Sequence, residues 1–399
     1  MKYIVLLGDG MSDEKLEQLG GKTPLQAAKT PNMDFMARRG RFGLASTVPE
    51  GLPPGSDVAN LSVFGYDPRT CYTGRSPLEA VSMGVELGPD DVAFRVNLVT
   101  LHPARGKLLM QDYSAGHIST EEGRELIEEL QRQFGDEEFQ FFPGVGYRHL
   151  MVWRKGKDKL TVTPPHDITG KCVTEYFPSG DGSERLIYLM NASQMLFSNH
   201  PLNKKRLEND ELPANSIWLW GHGKSPRIEN FHEKFGLSGA VISAVDLIRG
   251  IGIYAGLEVI KVEGATGYID TNYRGKAQAA LQALTNKDYV YLHVEAPDEA
   301  SHSGNLEHKI RAIEDFDALV VGPVMEGIKK FGAYRILCTP DHPTPMRLMT
   351  HTSDPVPFIL YGGEEKVNEA VAGYDEDAAK ATGLYLEDGF RMMEMMMKG

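Results

Sequence analysis

The stretch "ILCTPDHPTP" (336–345) decides how the chain is read. Its first half is an apolar run of the length and type of a buried strand. Pro343 and Pro345 stop regular ladder pairing, so Asp341 and His342 stand at the lip of that strand. They form either a polar turn or a pair of metal ligands. Two other apolar runs end in the same way: "YIVLLGDG" (3–10) reaches Asp9, and "VYLHVEAPD" (290–298) reaches Asp298. In an open parallel sheet the carboxyl ends of the strands line one edge, and ligands bind there. Three acids far apart in sequence are therefore expected close together in space.

The bulk numbers leave room for such a site. A chain of 399 residues exceeds what one core usually spans, which points to two domains. With 41% hydrophobic and 24% charged residues it is an ordinary globular composition. The formal charge of −13 argues against nucleic acid or an anionic membrane as partner. A small anionic substrate needs only a local basic pocket. Cys71, Cys172 and Cys338 are widely spaced and form no C-x-x-C pair, which fits a reduced, cytoplasmic protein. The opening "MKYIVLLGDG" is too short for a signal peptide, and no apolar run approaches the ~20 residues of a membrane helix. The tail "MMEMMMKG" (392–399) reads as the end of a packed helix.

Along the chain, strand patterns alternate with helical ones. "TPNMDFMARRG" opens a helix with Thr30 as cap and Pro31 at its first position. "PPGSDVANLSVFGYDP" (53–68) is a Pro-Gly loop entering a short helix near 57–64. Residues 119–135 form an amphipathic helix with Leu126, Ile127, Leu130 and Phe134 on one face. "EEFQFFPGVGYRHLMVWRKG" (137–156) reads as two strands around a Pro-Gly turn. After residue 186 the α/β alternation returns, with "GAVISAVDLIRGIGIYAG" (239–256) read as a helix. The expectation is an α/β fold: a mostly parallel sheet flanked by helices, formed by residues 1–99 and 186–399. A small α+β domain over 100–185 is set into it. No internal repeat interrupts this pattern.

The acids have company. Asp298 lies four residues before His302, Asp341 is followed by His342, and His351 sits in "MTHTSDP" (349–355). Mixed oxygen and imidazole ligands suit Mn²⁺ or Zn²⁺ better than Mg²⁺. Six such residues exceed one closed site and fit two metals roughly 4 Å apart. Ser56, after a glycine and at the start of a helix, is either a cap or a nucleophile at an anion-binding terminus. Bound to a divalent metal, a serine hydroxyl can lose its proton near neutral pH and attack phosphorus.

The order GDG, PPGSDVANLSVFGYDP, PDEASH, TPDHPTP and HTSDPVP resembles the alkaline phosphatase superfamily. Within it the chain resembles the cofactor-independent phosphoglycerate mutases of the shorter, archaeal-type branch. "YTGRSPLEAVSMGVEL", "AFRVNL" and "GATGYIDTNYRGK" extend the likeness along nearly the whole chain. The resemblance implies an alkaline-phosphatase-like core that binds two divalent ions. Mn²⁺ is the leading choice, Zn²⁺, Co²⁺ and Mg²⁺ are alternatives, and no 2,3-bisphosphoglycerate is needed. Asp298, His302 and His351 would hold one ion; Asp9, Ser56, Asp341 and His342 the other. Ser56 would carry the phosphoryl group between the two hydroxyls of glycerate, while the inserted domain caps the site and excludes water. Arg75, Arg95, His166 and Lys224 are the substrate-binding candidates, with His166 also a candidate general acid or base. The stretches "PPHDITGK" (164–171) and "SGDGSERL" (179–186) resemble a bacterial subgroup proposed to phosphorylate homoserine. That reaction, and phosphate-ester hydrolysis, are the alternatives. "GSDVAN" does not fit a sulfatase nucleophile, and no P-loop is present.

Overall fold

The computed structural model describes residues 1–104, 106–363 and 367–398. The backbone divides into two compact units, Met1–Tyr72 with Arg227–Gly399, and Thr73–Pro226.

The first unit is built on an eight-stranded sheet. Its order is Glu258–Val259, Gly239–Ile242, Tyr289–Val294, Lys2–Gly8, Tyr334–Thr339, Val356–Tyr361, Arg41–Ala45 and Tyr385–Leu386. Pairing is parallel except that Val356–Tyr361 runs against both of its neighbours. The central strand Lys2–Gly8 is apolar on both faces because both faces are covered. Ile4, Leu6, Leu292, Ile336 and Ile359 pack with Ala277, Ala280, Ile313 and Phe316 of the flanking helices in one buried cluster. Register does the rest. Gly8 lies opposite Val294, and Leu7 opposite Thr339. The residues that follow these three strands therefore emerge together on one edge.

Three details differ from the sequence reading. The strand Tyr289–Val294 stops four residues before Asp298, which lies instead in the helix Ala296–His302. Residues 239–256 are not one helix: Gly239–Ile242 is a buried strand and Asp246–Tyr254 the helix. Parallel pairing on both sides outweighs the helical spacing of that apolar run. The helix Pro31–Arg39 has no side-chain cap from Thr30. Asp317, in a π-turn (Asp317–Val321) after the helix Leu306–Phe316, accepts from the backbone N–H groups of Asn32 and Met33 at 3.2 and 2.8 Å. A distant carboxylate thus does the work expected of the local hydroxyl.

The second unit is an antiparallel sheet with helices. The long strand Val92–Ala104 pairs with Arg148–Trp153 and Lys107–Asp112, and also with Ser216–Lys224; Phe139–Val145 pairs with Arg148–Trp153. The helix Thr120–Phe134 starts with a Ser119/Glu122 capping box. Leu126, Ile127 and Leu130 of this helix and Leu186, Leu189 and Met190 of the helix Ser183–Ser198 join one core with Phe94, Trp153 and Trp218. This unit is wider than 100–185 because Val92–Ala104 and Ser216–Lys224 pair along their length. Pro143 and Gly144 fall inside a bulged strand, and the turn is made by Gly146 at a positive φ of 59°.

Candidate active site

The ligand edge of the first unit gathers all seven residues that the resemblance assigned to metal. Asp9, Asp341 and His342 are fully buried, and Asp298 nearly so. Ser56 is the first residue of the helix Ser56–Val63, and its Oγ lies 3.1 Å from His342 Nε2. The same Nε2 lies 3.5 Å from Asp9 Oδ1 and 3.4 Å from Asp341 Oδ2. On the other side, His302 Nε2 is 3.1 Å from Asp298 Oδ2, and His351 Nε2 is 3.5 Å from Asp298 Oδ1. Two groups have donor atoms mutually close enough to hold an ion: Asp9, Asp341 and His342, and Asp298, His342 and His351. His342 belongs to both. His302 adjoins the second group, with its Nε2 2.9 Å from His351 Nε2.

Supporting side chains fix these ligands. Asp341 Oδ1 accepts from the backbone N–H groups of Gly10 and His342 at 3.2 and 2.9 Å, while Oδ2 accepts from Asn60 Nδ2 at 2.7 Å. Asn60 follows Ser56 by one helical turn and also donates to the Ser56 carbonyl at 2.8 Å. Tyr291 completes the chain by donating to Asn60 Oδ1 at 2.5 Å. Thr344 donates to Asp298 Oδ1 at 2.5 Å.

A third group was not foreseen. His293 and Glu295 stand with Asp9, where His293 Nε2 is 2.8 Å from Asp9 Oδ2 and 3.5 Å from Glu295 Oε2. His293 sits inside an apolar strand, where the sequence pattern offers only a core position. Glu295 does follow a strand directly, a signal that the nearby Asp298 overshadowed. Asn60 was legible as the residue one turn beyond Ser56.

The electrostatics favour cations. Burial first, then the Asp341, Glu295 and Asp298 carboxyls, push Asp9 well above the usual carboxylate range. Asp341 is raised chiefly by burial, and Glu295 is raised to about 8 by burial and then Asp298. Burial opposes ionisation of Asp298 too, but His351 and His302 hold its carboxyl well below the usual range. Asp9 Oδ1 and Glu295 Oε2 are buried and make no hydrogen bond among the described residues. Two imidazole nitrogens 2.9 Å apart, His302 Nε2 and His351 Nε2, can share at most one proton. Lone pairs outnumber donors here, and the oxygen and imidazole set matches divalent cations.

The second unit carries the other candidates. Arg75 Nε pairs with Glu79 Oε1 at 2.8 Å, and the buried Arg95 pairs with the same oxygen. The indole of Trp220 lies beside both guanidiniums, at 6.0 and 5.4 Å, and His166 meets its edge at 5.4 Å. Arg75, Arg95 and His166 thus share one neighbour. His166 Nε2 is also 3.6 Å from Asp167. Lys224 ends its strand and pairs with Asp158 at 3.5 Å.

Comparisons with known proteins place the chain among named relatives. The family model described as 2,3-bisphosphoglycerate-independent phosphoglycerate mutase matches residues 37–203. A probable 2,3-bisphosphoglycerate-independent phosphoglycerate mutase of Geobacter sulfurreducens is 74% identical, with 100% of each chain covered. A solved protein of Pyrococcus horikoshii superposes with a TM-score of 0.83 at 29% identity, covering 99% of this chain and 96% of that one. The solved cofactor-independent phosphoglycerate mutase of Thermoplasma acidophilum gives a TM-score of 0.62 at 27% identity, covering 100% and 99%.

Proposed function

The chain belongs to the 2,3-bisphosphoglycerate-independent phosphoglycerate mutase family, and from that premise we propose that it interconverts 3-phosphoglycerate and 2-phosphoglycerate through a phosphoserine at Ser56. The observation that carries the reading is the Ser56 hydroxyl, 3.1 Å from His342 Nε2 at a helix start, beside two ligand groups that share His342.

Asp298, His302 and His351 would hold one divalent cation, and Asp9, Ser56, Asp341 and His342 the other. When bound, these cations supply Lewis-acid stabilisation of phosphoryl oxygens and lower the pKa of the serine hydroxyl. Mn²⁺ is the ion proposed. The residues do the remainder. Ser56 Oγ loses its proton and bonds to phosphorus, the bond from phosphorus to the 3-oxygen breaks, and that oxygen takes up a proton. The enclosed glycerate turns, its 2-hydroxyl gives up a proton and attacks phosphorus, and Ser56 leaves with its oxygen reprotonated. The start of the helix Ser56–Val63 would offer its backbone N–H groups to the incoming anion. Asn60 fixes Asp341 and the Ser56 carbonyl together, so the nucleophile and a ligand move as one body. Arg75, Arg95, His166 and Lys224 are assigned to the substrate's carboxylate and phosphate, and the unit Thr73–Pro226 to excluding water.

Incubation with 3-phosphoglycerate and Mn²⁺, followed by phosphorus NMR, tests this. The 2-phosphoglycerate resonance is expected. Free phosphate would identify a hydrolase instead. An inert 3-phosphoglycerate sample, with phosphohomoserine formed from ATP and homoserine, would replace the mutase reading altogether.

A further inference from the structure

The loop after Asp341 contains a hydroxyl that no step above uses. Thr344 is fully buried, and its Oγ1 lies 2.5 Å from Asp298 Oδ1 and 3.2 Å from His342 Nδ1. It therefore touches one member of each ligand group. Counting donors fixes the direction of both bonds. A hydroxyl has one proton, and an ionised carboxylate can only accept. The Thr344 proton goes to Asp298, so the second contact is a hydrogen bond only if the ring donates from Nδ1.

We propose that Thr344 is a positioning residue that fixes the tautomer of His342, keeping the hydrogen on Nδ1 and the lone pair of Nε2 turned toward Ser56. The opposite tautomer would place a hydrogen on Nε2, where neither a cation nor the serine proton could be accepted.

The surroundings hold Thr344 in place. Its backbone N–H donates to the Ser12 carbonyl at 3.1 Å. Its carbonyl accepts from Lys309 Nζ at 2.9 Å, and Lys309, fully buried, also pairs with Asp13 at 2.7 Å. Lys309 thus ties the loop that follows Asp9 to the loop that follows His342. Gly10, at a φ of +61°, leaves the space. A Cβ there would lie 2.6 Å from both Asp298 Oδ1 and Thr344 Oγ1. The inference rests on the reading of His342 as a ligand, but its test does not need turnover.

The experiment uses the full-length, metal-free protein labelled with ¹⁵N-histidine. Long-range proton–nitrogen spectra report which ring nitrogen is protonated, and the His342 signals are those lost in His342→Asn. Wild type should show hydrogen on Nδ1. In Thr344→Val, isosteric but without the hydroxyl, that preference should be lost and Mn²⁺ affinity should fall about 10- to 100-fold. Thr344→Ser should restore both, and circular dichroism checks that each variant is folded. Hydrogen on Nε2 in wild type, or Thr344→Val with unchanged tautomer and Mn²⁺ affinity, would overturn the proposal. An Nδ1–H ring in a protein that fails to convert 3-phosphoglycerate would sink only the mutase reading.

Discussion

The ligand edge of the parallel sheet and the antiparallel sheet of the second unit both bury charge, in opposite ways. In the second unit, buried charges come as matched partners. Arg95 meets Glu79, Arg154 meets Asp91 at 2.6 Å, and Arg206 meets Glu122 at 2.7 Å. At the ligand edge, Asp9, Asp341, Asp298 and Glu295 crowd together with imidazoles, and among the described residues none of the four makes an ion pair with arginine or lysine. Paired burial is a way to build a sheet. Carboxylates massed with no direct arginine or lysine partner mark a place where something positive is meant to arrive.

That contrast can be broken at its sharpest point by Ser56→Ala. If the ligand edge exists to activate this hydroxyl, turnover falls by at least about 10³-fold. Mn²⁺ binding, measured by calorimetry, should weaken without vanishing, since Asp9, Asp341 and His342 remain. Full turnover in the variant would show the edge to be a metal store with no covalent role.

The opposite side of the comparison is tested by Glu79→Ala. It strands the buried guanidinium of Arg95 and should cost about 3–5 kcal/mol. All three tryptophans, Trp153, Trp218 and Trp220, lie in the second unit, so fluorescence-detected denaturation reads that unit alone. A cost under about 1 kcal/mol would mean that pairing there is incidental.

Glu376 is an intermediate case. It is half-buried, accepts from Thr23 Oγ1 at 2.7 Å and from the Asp13 N–H at 3.1 Å, and makes no ion pair with lysine or arginine among the described residues. Burial raises its carboxyl to about 7 from 4.5. The folded protein therefore holds a proton that the unfolded chain releases. The stability tied to that proton is present below about pH 4.5 and is lost as pH rises to about 7, on the order of 3 kcal/mol. Glu376→Gln should flatten this part of the stability–pH curve followed by circular dichroism. An unchanged curve would assign the slope elsewhere.

The smallest effect concerns an exposed, local feature. Ser119→Ala removes the capping hydroxyl that accepts from the Glu122 N–H at 3.2 Å, and should cost about 1 kcal/mol in the second unit. A much larger loss would show that this helix start carries tertiary strain.

What could be read in advance follows the same division. The ends of Lys2–Gly8 and Tyr334–Thr339 were legible because buried parallel strands are uninterrupted apolar runs, closed here by glycine or proline. The helix Thr120–Phe134 was legible because its period and cap are local. His293 was not, because a histidine inside a strand looks like a core residue until its neighbour across the sheet edge is known. The capping of Met33 by Asp317 spans 284 residues and leaves no local trace. The extent of the second unit was hidden for a similar reason. Strand 216–224 has the pattern of a core strand, and only its pairing with 92–99 assigns it.

The imidazole of His342 stands in two of the candidate ligand groups, yet a neutral ring offers a single lone pair. With that lone pair given to the centre of Asp9 and Asp341, the neighbouring centre is left with Asp298, His302 and His351. A nitrogen placed between two sites can then serve only one of them, and His342→Asn should weaken one step of a Mn²⁺ titration far more than the other.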